Sequence, residues 1–192
     1  ASESSDIDMR LHQALGALKE RTVLFKFCIE EIATMRKASV TRRFVIALTE
    51  GGPNGIPRPI EMQAHDPQRY VGDILAWMHP ALAGEKDLLD ALFSSKFGSN
   101  SPLGKDQSST STSDVLPSIV EALVQPFMVR LEQALNSQPS VLLSYKLANL
   151  VDFYIHSIDS ALKLQGTSVL KPAYEKCQEH FLRHNEGIMD KL

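Results

Sequence analysis

Leu143-Ser-Tyr-Lys-Leu-Ala-Asn-Leu-Val-Asp-Phe-Tyr-Ile-His-Ser-Ile-Asp-Ser-Ala161 places Leu143, Leu147, Leu150, Tyr154, Ile158 and Ala161 at steps of three and four. That is the repeat of one face of a 3.6-residue helix; a strand would alternate every second residue. Pro139 precedes the stretch, and Gly166 is expected to end the helix in the left-handed conformation that glycine tolerates. Upstream, Leu116, Ile119, Leu123, Phe127, Leu131 and Leu135 repeat the pattern, with Pro126 expected to kink it. Downstream, Leu170, Tyr174, Cys177, Phe181 and Ile188 mark a last helix starting near Pro172.

The first half of the chain has the same habit. Ile7, Leu11, Leu15 and Leu18 form one stripe, and Leu24, Cys28, Ile32, Met35, Val40, Phe44 and Leu48 form another. Breaks are expected near Thr22-Val23 and Ala38-Ser39. Gly51-Gly-Pro-Asn-Gly-Ile-Pro-Arg-Pro59 reads as a firm loop, because its three prolines delete amide donors and its glycines relax the backbone. Asp66-Pro67 then caps and opens a helix carrying Val71, Ile74, Leu75, Met78 and Leu82, which Pro80 is expected to kink or restart. No period-2 run of useful length appears. The predicted fold is all-α, an antiparallel helical bundle or rod segment, since the stripes are too wide for a two-stranded coiled coil. The organisation expected is a helical segment over 1–95 with a Gly/Pro-rich turn at 51–60, a flexible Ser/Thr/Gly linker over 96–113, and a helical segment over 114–192.

Composition narrows the function classes. Hydrophobic residues make up 43% and charged residues 22% of 192, which is the balance of a folded globular chain. The net charge of −3 comes without a basic stripe of the kind that nucleic acid requires. Cys28 and Cys177, far apart, read as free thiols rather than a disulfide framework. The polar Ala1-Ser-Glu-Ser-Ser-Asp6 is no signal peptide, and the run Phe44 to Leu48 is far too short to span a bilayer. A chain that starts without Met and stops at Leu192 reads as a piece of a longer polypeptide.

Three patterns bear on chemistry. Gly51 to Gly55 lacks both the Gly-Lys-Ser/Thr ending of a P-loop and the spacing of a dinucleotide site, so it reads as a turn. Cys177, His180 and His184 share one helical face and include zinc-ligand types, but no fourth ligand is evident and Cys177 falls on the apolar stripe. Arg36, Lys37, Arg42 and Arg43 flank a short apolar segment; a solvated face is the plain reading, and a patch for anionic lipid or an acidic partner the alternative. No catalytic residue, cofactor or metal is expected.

The stretch Pro57-Arg-Pro-Ile-Glu-Met-Gln-Ala-His-Asp-Pro-Gln-Arg-Tyr-Val-Gly-Asp-Ile-Leu-Ala-Trp-Met-His79 resembles the signature of the sixth subunit of the conserved oligomeric Golgi complex. Arg21 to Lys26, Phe44 to Pro53, Gln125 to Gln133 and Leu143 to Leu150 match that family in the same order, so the resemblance covers most of residues 10–160. It implies a non-enzymatic, peripheral protein on the cytosolic face of the Golgi membrane. Such a protein would act in vesicle tethering and retrograde intra-Golgi transport, with other subunits of the tether and SNARE proteins as partners. Within the signature, Arg58, His65, Asp66, Arg69, Tyr70 and Trp77 stand out as either internal fastening or an interaction surface. The linker over 97–113 departs from the family pattern. The second reading is a membrane-surface module acting through the basic helix.

Overall fold

The protein was analysed as a computed structural model, which describes residues 14, 15, 17, 18, 21–93, 107–137, 140–163 and 170–189. Among these residues the regular structure is helical throughout, with no strand. Five α-helices follow in order: α1 (Thr22–Thr49), α2 (Pro67–Phe93), α3 (Gln107–Ser137), α4 (Val141–Leu162) and α5 (Lys171–Met189). Two single 3₁₀ turns, Pro53–Gly55 and Ile60–Gln63, lie between α1 and α2.

Helix α2 packs on α3 and on α4, α4 packs on α5, and α5 returns to α3. Four helices thus close a ring around one core, and α1 lies on α3 outside it. Phe127, Leu123, Leu131 and Ile119 of α3 are fully buried, as are Ile74, Leu75, Met78, Leu82 and Leu89 of α2. Burying one such side chain contributes about 1.5–3 kcal/mol, so this interlocked face is what holds the ring. Every residue of the predicted α3 stripe is buried, and Val115, Val120, Val124 and Ala134 widen that face.

Several local expectations change. Helix α1 begins at Thr22 but runs unbroken through Ala38-Ser39, because Val40, Phe44 and Leu48 anchor its second half in the core. Its first half buries no residue and exposes Val23, Leu24, Phe27 and Met35. Pro80 lies inside α2, and Pro117 and Pro126 lie inside α3, without ending either helix. Each proline removes one backbone donor, and packing along the buried faces offsets that loss. Helix α3 reaches back to Gln107, into the stretch expected as linker; residues 96–106 lie outside the described residues. Helix α4 stops at Leu162 with Lys163 left-handed at φ 53°, earlier than the expected end at Gly166, which also lies outside the described residues. The stripe of α4 is rotated slightly, so that Ser144, Leu147, Ala148, Val151, Ile158 and Leu162 are its buried residues. Ile7 and Leu11 lie outside the described residues, as does the side chain of Ile188.

The polar contact between α4 and α5 is specific. Ser144 Oγ donates to the Ser140 carbonyl at 3.0 Å and lies 2.9 Å from His180 Nδ1. Burial lowers the His180 pKa from its ordinary 6.5, helped by the neighbouring His184, Arg183 and Lys176, while Glu179 opposes. The sign follows from proton counting: between 6.5 and the lower folded value, the unfolded chain binds more protons. Stability is therefore full above 6.5 and falls as pH drops towards the folded value. In His180→Asn, whose amide keeps a partner for Ser144, this part of the acid sensitivity is expected to vanish. Urea midpoints for both proteins at mildly alkaline and mildly acidic pH measure it, and parallel curves would refute the assignment.

Candidate interaction groove

The C-terminal half of α1, the Gly/Pro-rich turn and the first half of α2 enclose an open groove of about 1080 Å³. Its shape starts with the end of α1. The amides of Glu50 and Gly51 both close on the Ile46 carbonyl at 2.8 Å, with Gly51 left-handed at φ 78°. The chain then doubles back, so that Gly52 N–H donates to the Pro57 carbonyl at 2.8 Å. A Cβ on Gly51 would sit 2.4 Å from Pro57 O, and one on Gly52 would sit 2.1 Å from Ile56 O. Two glycines thus let backbone lie directly on backbone. The 3₁₀ turn at Ile60–Gln63 braces α1 and α2 and delivers the chain to Asp66, whose Oδ1 accepts the Arg69 amide at 3.2 Å.

The floor of the groove is apolar. Trp77 of α2 is half-buried and stacks at a tilt on the fully buried Phe44 of α1, with ring centroids 5.2 Å apart. Ile46, Ala47 and Ala81 extend this surface. The rim is basic: Arg58 comes from the turn, Arg69 from α2 and Arg43 from α1, with Asp73 the carboxylate among the lining residues. Arg69 Nε lies 3.7 Å from Asp73, a loose exposed pair worth little.

Behind this wall lies a buried charge. Glu85 of α2 is 2% exposed, and Arg36 of α1 grips it with two bonds, Nε to Oε2 at 2.9 Å and Nη2 to Oε1 at 2.7 Å. Arg43 Nη2 donates to the same Oε1. Arginine's planar fork suits such a carboxylate, and a buried carboxylate without partners would be costly. Glu85 did not stand out in the sequence, yet a signal was there: it falls between Leu82 and Leu89 on the apolar face of α2.

The residues singled out from the signature thus separate. Arg58, Arg69 and Trp77 line one groove, and Asp66 caps α2. His65 is exposed, its Nδ1 3.1 Å from the Met62 carbonyl. Tyr70 turns inward, and burial raises its pKa against the opposing charge of Arg130, which also holds Glu61 at 3.1 Å. The basic cluster separates too. Arg36 and Arg43 serve Glu85, Arg42 is exposed, and Lys37 lines a shallow cleft with Lys26 and Glu30.

The metal-type triad is engaged otherwise. Cys177 is buried, and burial pushes its thiol up to about 12. His180 is held by Ser144, and His184 Nδ1 faces the His180 carbonyl at 3.0 Å. No group of three or more His, Cys, Asp or Glu able to hold a metal occurs among the described residues.

Comparison with known proteins agrees with the signature. The family described as conserved oligomeric Golgi complex subunit 6, C-terminal, matches residues 1–191. The chain belongs to the conserved oligomeric Golgi complex subunit 6 family. Subunit 6 from Arabidopsis thaliana is 46% identical over 169 residues, covering 84% of this chain and 25% of the relative. Those from Bos taurus and Homo sapiens are 43% and 42% identical over 200 residues, covering 99% of this chain and 29% of each relative. The chain therefore spans between a quarter and a third of the length of these subunit 6 relatives. No solved structure matches it.

Proposed function

We propose that this chain is a non-catalytic scaffold segment of a Golgi vesicle-tethering subunit, presenting a protein-docking surface during retrograde intra-Golgi transport. Membership of the subunit 6 family supports the setting. The observation that carries the docking role is the groove in which Arg58, Arg69 and Trp77 meet. Such a cleft, with an aromatic floor and arginine rim, has the composition of interaction hot spots. The partners in this reading are the other subunits of the tether and SNARE proteins. The protein works peripherally at the cytosolic face of the Golgi membrane. Among the described residues, no helix is long and apolar enough to cross a membrane.

The test is affinity capture from Golgi-enriched lysate with the full-length polypeptide containing this chain, beside its Trp77→Ala, Arg69→Ala form. Both must show the same helical circular dichroism. Tether subunits are expected with both baits, and SNARE recovery is expected to fall about tenfold with the variant, as loss of a hot-spot residue does. Equal SNARE recovery would move the docking surface elsewhere, and absence of tether subunits from both would sink the reading.

A further inference from the structure

We infer that the groove receives an acidic segment of a partner protein, with an apolar side chain on Trp77 and Asp or Glu carboxylates at Arg58 and Arg69. The inference rests on the scaffold reading above and specifies the chemistry of what docks there. Charge is the first support. The chain as a whole carries −3, yet the groove is lined by three arginines, Arg43, Arg58 and Arg69, against one carboxylate, Asp73. Arg58 is exposed and pairs with no carboxylate among the described residues. Arg69 has only its loose, solvent-exposed contact with Asp73. Two of the rim cations are thus available to an incoming anion, and they stand on different elements, the turn and α2.

Shape is the second support, and it favours a polypeptide over a lipid surface. A helix that lies on a membrane projects its apolar residues outward between basic ones. Here Trp77 is half-buried in the groove lining and backed by Phe44, so it does not project outward as a membrane-facing side chain would. A peptide anchor side chain docks on such a surface, with flanking charges setting orientation and encounter rate.

The experiment places a photo-crosslinking amino acid at Ala76, exposed in the groove, in the full-length polypeptide in cells. A matched protein carries it at Ser160, exposed on α4. Expected from position 76 are adducts to protein segments in which acidic residues outnumber basic ones. Yield should fall about tenfold with Arg58→Glu, Arg69→Glu, and, when the crosslink is repeated in cell lysate, drop as salt rises from about 50 mM to about 300 mM. Asp73→Asn, which removes the one competing carboxylate, should raise the yield, a gain that misfolding cannot imitate. The inference is overturned by adducts without an acidic excess, by lipid adducts alone, by indifference to charge reversal, or by no adduct above the Ser160 control. Tether subunits co-purified in the same preparation report separately on the scaffold reading, so its failure is distinguishable from failure of the groove.

Discussion

Gly52→Ala is expected to destabilise the chain by about 2–3 kcal/mol and to open the turn that walls the groove. The cause is steric alone. Gly52 has φ −85° and ψ 174°, which any residue adopts, but its new Cβ would meet Ile56 O at 2.1 Å and Pro57 Cδ at 2.5 Å. Both obstacles belong to the returning backbone and the ring fixed to it, so no rotamer change relieves them. The hydrogen bond from the Gly52 amide to the Pro57 carbonyl would lengthen or break, and Arg58 would leave the rim. Gly55→Ala makes the control. Gly55 is left-handed at φ 75° but has open space around its Cβ position, so only conformational strain of about 1–2 kcal/mol is added. Urea denaturation of the two variants beside the parent separates the effects. Equal losses would refute the account of backbone lying on backbone, and the crosslink from position 76 should disappear only in Gly52→Ala.

Glu85→Gln should cost about 2–3 kcal/mol, because it leaves two guanidinium groups facing an amide that answers only part of their donors. The loss stays below that of a fully buried pair, since Arg36 and Arg43 are 26% and 50% exposed and reach water. Glu85→Leu combined with Arg36→Met is expected to recover most of the loss, since apolar groups of similar volume replace a buried ion pair at little net cost. A double-mutant cycle should give a larger coupling for Arg36 than for Arg43, following burial and the two-bond grip. A Glu85→Gln midpoint within about 0.5 kcal/mol of the parent would show that this contact contributes nothing.

The sequence was most legible where one face of one helix decided everything. The α3 stripe from Leu116 to Leu135 and the Asp66-Pro67 start of α2 could be read directly, because burial and capping are local in register. Pro80 was expected to kink or restart its helix, yet α2 continues through it, since tertiary packing outweighs one missing amide when both flanks of a helix are anchored. Ala38-Ser39 misled for the same reason, with Val40 and Phe44 just beyond it in the core. Lys163 rather than Gly166 closing α4 was not legible, because a left-handed residue other than glycine leaves no mark on composition.

Of the groove, the signature supplied Arg58, Arg69 and Trp77, with fastening of the Pro-rich segment to the helix as one reading, but not the cleft that they line. That depends on the turn folding back through the Gly52–Pro57 bond, a contact between main-chain atoms that no side-chain pattern encodes. Tyr70, one residue from Arg69, turns the other way because the helix rotates by about 100° per residue. Arg36 and Arg43 could be seen as a basic cluster with Arg42, whereas their shared acceptor lies more than forty residues away.

The backbones of helices α1 and α2 are each seated on α3 and approach each other little; what joins the two is the Phe44–Trp77 stack, the arginine grip on Glu85 and the brace of the 3₁₀ turn. The opening of the groove is therefore gauged by the length of a few side chains and one loop, while the four-helix ring is gauged by interlocked apolar ridges. Under selection these are separable traits. A lineage can lengthen the loop or exchange a rim arginine, and so change which visitor is admitted, while the frame that carries the docking site drifts or persists on its own account.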